Sequence, residues 1–132
     1  MADSTGKVTI QVKNEHLATN LKAGFVNALS TAVRSSLMEE ASCKAVEIAC
    51  LISGQTSISA KMKLFYQRPS RLGSNVSVIS RIVDIDKDGI HFEIEASDEK
   101  GIVGTAKHTR VFVDKDDFEK RCYETARLAR QI

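Results

Sequence analysis

From Thr31 to Ile52 the chain runs without a glycine or a proline, and directly after Gly54 its apolar period drops to two. No other feature constrains the fold as tightly. The first stretch places apolar side chains at Ala32, Val33, Leu37, Met38, Ala41, Ala45, Val46, Ile48, Ala49 and Leu51. They cover more than one helical stripe, which predicts a helix contacted on several sides. Ser30 or Thr31 is the expected N-cap, because a hydroxyl there accepts a bond from an unpaired first-turn N–H. Gly54 is the expected stop.

Four period-two segments follow, over about Thr56 to Tyr66, Asn75 to Ile85, Ile90 to Ala96 and Gly104 to Val113. Pro69 to Ser74 reads as a loop. Asp86-Lys87-Asp88-Gly89 and Asp98-Glu99-Lys100-Gly101 read as turns whose final glycine takes a positive φ. Turns this short imply an antiparallel meander. Upstream, Val8, Ile10 and Val12 alternate with polar residues, so Lys7 to Lys13 is a further half-buried strand. Asn14 to Lys22 reads as a short helix or an irregular crossover. Asp114 to Ile132 reads as a helix, with Asp116 and Glu119 spaced like a capping box and Arg127 and Arg130 near its end.

The economical packing is one long helix wrapped by a curved antiparallel sheet of about five strands, plus a C-terminal helix. That is an α+β fold, and 132 residues fit one domain over positions 1–132. A ferredoxin-like layer or a cystatin-like sheet on a helix are alternatives at this length. A four-strand meander after a single helix does not give the ferredoxin order.

A net charge of +2, with basic and acidic residues interleaved, argues against a nucleic-acid partner. Cys43, Cys50 and Cys122 are odd in number and widely spaced, which fits reduced thiols packed as small apolar residues. No apolar run approaches the roughly 20 residues that span a membrane, and Met1 to Gly6 has no signal pattern. A cytoplasmic protein with no membrane partner is the expectation. His16, His91 and His108 lie at no metal-ligand spacing, so no metal is expected. There is no G-x-S-x-G, Walker or G-x-G-x-x-G motif.

The anomaly is Glu39-Glu40 inside the apolar helix. Adjacent helix positions point about 100° apart, so the two acids meet different surroundings. Either both lie on a narrow exposed strip, or one carboxylate points into a cavity, where burial is costly unless it is paired or functional. In the last strand His108 and Arg110 share one face, which is either a solvated face or part of a site. Arg68 and Arg71 flank Pro69 and either pair with phosphates or keep a loop soluble.

Leu29-Ser30-Thr31, then Leu37-Met38-Glu39 and Ala41-Ser42-Cys43, form one block. Glu95-Ala96-Ser97-Asp98, Gly101, Ile102, Gly104 and His108-Thr109-Arg110-Val111-Phe112-Val113-Asp114, with Phe118 beyond, form a second. With these blocks in this order the chain resembles the hotdog-fold thioesterases related to fluoroacetyl-CoA thioesterase, over most of its length. The resemblance implies hydrolysis of an acyl-CoA to free acid and CoA, with no cofactor apart from the coenzyme A of the substrate. It implies a homodimer, or a dimer of dimers, with the site between subunits. Thr31 matches the family's active-site threonine and Glu39 its glutamate, the latter a general base or nucleophile. Arg110 matches the arginine of the family's His-x-Arg block and is expected to position substrate or structure.

One departure stands out. The family carries a histidine in the strand after the central helix, and here no histidine lies between Cys43 and Ile90. Depending on the anchor of the alignment, Met62, Leu64 or Tyr66 takes that place. These three, with His108, Arg110, Arg68 and Arg71, make the expected substrate-binding set. The stretch from Phe65 to Gly73 looks instead like the strand and loop of broader hotdog thioesterases, including the phenylacetate-pathway group. Loss of an acid–base partner costs on the order of 10²–10⁴ in rate. The departure therefore leaves three expectations, a slower thioesterase, a thioesterase with another proton route or an acyl-CoA binder with little turnover. A dehydratase or isomerase on the same fold ranks last, for want of a paired Asp and His at the helix start.

Overall fold

The computed structural model describes residues 4–49 and 54–130. Strand β1 covers Thr5–Gln11, and a single 3-10 turn follows at Asn14–His16. Helix α1 spans Thr31–Ala49, then come strands β2 Gln55–Tyr66, β3 Asn75–Asp86, β4 Gly89–Asp98 and β5 Gly101–Asp114, and helix α2 Lys115–Arg130. The five strands form one curled antiparallel sheet in the order β1-β3-β4-β5-β2, with α1 packed on its inner face. The expected segments are all present. β1 begins two residues earlier than its alternation suggests, because Thr5 and Gly6 already pair with Arg81 and Ser80. Val12 is buried just beyond the strand.

The Ser30 hydroxyl caps α1 by accepting from the Ala32 N–H at 3.0 Å. The expected end of this helix, with Cys50, Leu51 and Ile52, lies outside the described residues, as do the side chains of Arg127 and Arg130. The capping box expected at Asp116 and Glu119 does not form the start of α2. Asp114 does this work instead, its carboxylate accepting from the Asp117 N–H at 2.9 Å. Asp114 ends β5 and is therefore the first acid the chain meets on leaving the sheet.

The core joins Met38, Ala41, Ala45 and Val46 of α1 to Val76, Val78, Ile90, Phe92, Ile94 and Ala106 of the sheet. The small residues at Ala41 and Ala45 let α1 approach β1 closely. A Cβ on Gly6 would fall on the Ala41 carbonyl and within 2.8 Å of the Ala45 nitrogen.

The crossover between β1 and α1 is irregular after its first turn. Leu17 and Leu29 bridge its ends, and the Leu29 N–H donates to the Ser70 carbonyl at 2.9 Å. Its tip exposes Leu21, Phe25 and Val26, with Phe25 wholly in solvent.

Candidate functional site

A bulge in β2 sets which of its own side chains face α1. Ser57 and Ser59 pair with Phe112 and Arg110, the register shifts between Ser59 and Lys61, and then Met62, Leu64 and Tyr66 pair with His108, Ala106 and Gly104. Strict alternation would put 57 and 59 on one face and 62, 64 and 66 on the other. The extra residue, Ala60, puts both sets on the helix side. The three positions competing for the family histidine therefore share the face of Ser57 and Ser59, and the residue paired with Met62 is His108.

That face is not solvated at its β5 end. His108 is 2% exposed and Arg110 6%. His108 Nδ1 lies 2.9 Å from the Ser42 hydroxyl, and Nε2 lies 2.8 Å from that of Ser59. Ser42 in turn meets Ser80 at 2.8 Å. Burial, with Arg110 close by, lowers the His108 pKa to about 4. The ring is thus neutral at pH 7, and each nitrogen already has a partner.

Arg110 donates from Nε to the Ser57 hydroxyl and from Nη2 to the Ser57 carbonyl, both at 2.8 Å. Its remaining nitrogen, Nη1, lies 3.8 Å from Glu39 Oε1. Glu39 is half-buried, whereas Glu40 is exposed and pairs with Lys44 along the helix. The two acids do meet different surroundings. The Glu39 carboxylate sits at the mouth of the helix–sheet interface, where it reaches both Arg110 and water.

Thr31 opens the first turn of α1 and is exposed. With Arg34 and Met38 at helical spacing behind it, it lines a slot closed by Leu64, Phe65, Tyr66, Gly104 and Thr105. The room in this slot is about 10 Å³, close to the minimum for one water. Arg34 is 3% exposed. Nη1 donates to the Val103 carbonyl at 3.2 Å and Nη2 to the Arg68 carbonyl at 3.3 Å, while the guanidinium sits 5.4 Å from the Tyr66 ring centre. Nε has no partner. Burial lowers the affinity of this group for its proton, against the pull of Tyr66 and Asp98. Gly104 makes the room, since a Cβ there would lie 3.3 Å from Nη1 and 3.1 Å from the Phe65 carbonyl.

Arg68 and Arg71 border a separate cavity of about 660 Å³, with Val26, Asn27 and Ala28 on one wall and Asp98, Glu99 and Lys100 on another. Arg68 is already engaged, donating to Asp98 at 2.8 Å and to the Gly101 carbonyl at 3.1 Å. Burial works against the Asp98 charge, but the bonds from Arg68 and the Lys100 N–H outweigh it and hold the carboxyl below its usual range. Arg71 and Lys100 are exposed.

The structure thus groups Thr31 with Leu64 and Tyr66, Glu39 with Arg110, His108 with its cross-strand partner Met62, and Arg68 with Arg71. Sequence reasoning missed Arg34, Ser42, Ser57, Ser59 and Ser80 as polar groups of this face. Arg34 had a signal, lying at i+3 from Thr31 and i−4 from Met38 on one helix stripe. The serines of β2 had none, because the bulge hides their facing. Among the described residues no three His, Cys, Asp or Glu side chains cluster as a metal would need, and no helix is long and apolar enough to cross a membrane.

The architecture matches solved structures closely. A Thermus thermophilus thioesterase superfamily member superposes with a TM-score of 0.88 at 17% identity, covering 97% of this chain and 94% of its own. The fluoroacetyl-CoA thioesterase FlK superposes at 0.83 with 17% identity, covering 91% and 93%. A hot-dog-like protein from Thermanaerovibrio acidaminovorans reaches 0.79 at 25% identity, covering 92% and 89%. No curated protein matches the chain significantly in sequence. The family model for fluoroacetyl-CoA-specific thioesterases matches residues 12–116. By fold the chain is a hotdog domain, and by sequence it belongs to the fluoroacetyl-CoA-specific thioesterase family.

Proposed function

We propose that this protein hydrolyses an acyl-CoA thioester to free acid and CoA at the Glu39 edge of α1. The observation that carries the reading is the Glu39 carboxylate, half-buried beside the helix–sheet contact and still open to water, with a fixed cation beside it. As general base, Glu39 takes a proton from water while the water oxygen bonds to the thioester carbon. The C–S bond then breaks, and the CoA thiolate leaves and takes up a proton. As nucleophile, a Glu39 oxygen bonds to the thioester carbon instead, the C–S bond breaks with CoA leaving as a thiolate that takes up a proton, and water hydrolyses the resulting anhydride to free acid and the Glu39 carboxylate. Thr31 positions the thioester, and backbone N–H groups at the start of α1 stabilise the oxyanion.

The cavity beside Arg68 and Arg71 is large enough for part of a cofactor-sized ligand. Since Arg68 is tied to Asp98, the freer Arg71 and Lys100 carry most of the contact with CoA phosphates. Met62, Leu64 and Tyr66 line the acyl path. A second copy of the chain against the β2 edge completes the site as a homodimer or a dimer of dimers. Free Cys43 and Cys122 suit a reducing cytoplasm. The test is thiol release from short, medium and aryl acyl-CoAs, and no release above background from any of them would refute the reading.

A second reading rests on a specific observation. No histidine stands in β2, and both nitrogens of His108 are occupied. The protein would then hold acyl-CoA without turning it over. Micromolar binding by calorimetry with no hydrolysis supports this reading, and absence of binding rejects it.

A further inference from the structure

Of the two hydroxyls bonded to the imidazole of His108, that of Ser42 is buried and that of Ser59 belongs to an exposed residue. The reaction proposed above gives Ser59 no task. Its Oγ lies 2.8 Å from Nε2, within the reach at which a base activates a hydroxyl nucleophile. On the other side of the ring Ser42 lies 2.9 Å from Nδ1 and is itself held by Ser80 at 2.8 Å. When Ser42 accepts from Nδ1–H and donates to Ser80, the Nε2 lone pair faces the Ser59 hydroxyl. The ring is neutral at pH 7, so that lone pair can take a proton. Hydroxyl, base and orienting group thus stand in the order that nucleophilic catalysis uses.

The position suits access. β2 is an edge of the sheet, and its register skips Ala60, so the ladder is interrupted directly after Ser59. Ser59 pairs with Arg110, whose Nη1 lies 3.8 Å from Glu39 Oε1, which puts the hydroxyl on the face of the proposed site. Among the described residues one other hydroxyl meets an imidazole, Thr109 with His91 at 3.0 Å. Strand alternation places that pair on the opposite face. An imidazole that holds its proton as weakly as His108 is a modest base. It serves where the leaving group departs readily, as a phenolate does and an amine does not.

We propose that Ser59 is a catalytic nucleophile with His108 as its base, and that the pair hydrolyses aryl esters of short acids. The Ser59 oxygen bonds to the ester carbon as its proton passes to His108 Nε2. The bond to the phenol oxygen breaks, and the phenolate takes that proton. Water then attacks the acyl-serine, giving its proton to Nε2, and the free acid leaves as the Ser59 oxygen recovers that proton. This ester chemistry adds to the thioester chemistry proposed for Glu39 and does not depend on it.

The test treats the folded full chain with a small alkyl fluorophosphonate, which bonds phosphorus to an activated serine oxygen and expels fluoride. Intact mass should rise by one phosphonyl group per chain, and peptide mapping should place it on Ser59. Ser59→Ala should stay unlabelled, His108→Gln should label on the order of a hundredfold more slowly, and labelled wild type should lose its hydrolysis of p-nitrophenyl acetate. No label on wild type, a label on another residue such as Thr109, or an equal rate in His108→Gln overturns the inference. Should His108→Gln not fold, wild type in urea replaces it, and equal labelling of Ser59 in the unfolded chain overturns the inference. Acyl-CoA hydrolysis without labelling sinks the inference and keeps the thioesterase reading, and labelling without acyl-CoA hydrolysis does the reverse.

Discussion

Glu39 and Arg110 lie 3.8 Å apart but in opposite environments, the Glu39 side chain 45% exposed and that of Arg110 7%. The pair is therefore asymmetric in what each member costs to lose. Glu39→Gln removes a half-solvated partner, and its effect on folding stability should stay under about 1 kcal/mol. Arg110→Met strips Ser57 of two hydrogen bonds inside the sheet and should cost about 1–3 kcal/mol. Denaturant unfolding of the two variants measures the contrast. Equal losses would mean that the ion pair, not the anchoring to Ser57, holds Arg110.

His108 gives the protein a pH-dependent stability. Its folded pKa, about 4, lies below the ordinary 6.5 that it takes when unfolded. The unfolded chain therefore binds this proton first as pH falls. The stabilising contribution is complete above about pH 6.5 and is lost on descent towards pH 4, on the order of 3 kcal/mol in all. Unfolding free energies across that window should fall more steeply for wild type than for His108→Gln. Parallel slopes would show that the ring is not buried neutral among Ser42, Ser59 and Phe92.

Gly6 fixes how closely α1 sits on β1. Gly6→Ala would push a methyl group onto the Ala41 carbonyl, an obstacle of backbone rather than of flexible side chain. A loss of about 1–3 kcal/mol or more is expected, read as a lowered thermal midpoint. An unchanged midpoint would mean that the helix has room to retreat.

The loop cavity predicts a binding effect separate from chemistry. Arg71→Ala should raise KM for acyl-CoA several-fold at unchanged kcat, and the effect should shrink as salt is added. A fall in kcat with constant KM would place Arg71 in the reaction instead.

Much of this was legible in the sequence, and what was not has a physical reason. Period-two segments and glycine turns locate every strand, because half-buried strands must alternate and tight turns need positive φ, as at Gly89 and Gly101. The Glu39-Glu40 anomaly resolves as one half-buried acid beside Arg110 and one exposed acid beside Lys44, because adjacent helix positions point apart. Facing in β2 could not be read, since one bulged residue inverts the parity of everything after it. The burial of His108 and Arg110 was hidden for a related reason. Polar side chains on a strand look solvated until the partners that satisfy them, here Ser42, Ser57 and Ser59, are brought in by other elements.

The proposed role of Glu39 as base or nucleophile is open to a direct test. The direct measurement is steady-state thiol release from an acyl-CoA that the wild-type protein hydrolyses, repeated with Glu39→Gln under identical conditions. A fall in kcat on the order of 10²–10⁴ is expected, with acyl-CoA binding and the unfolding midpoint close to wild type. Turnover within a few-fold of wild type in the Gln variant would contradict it.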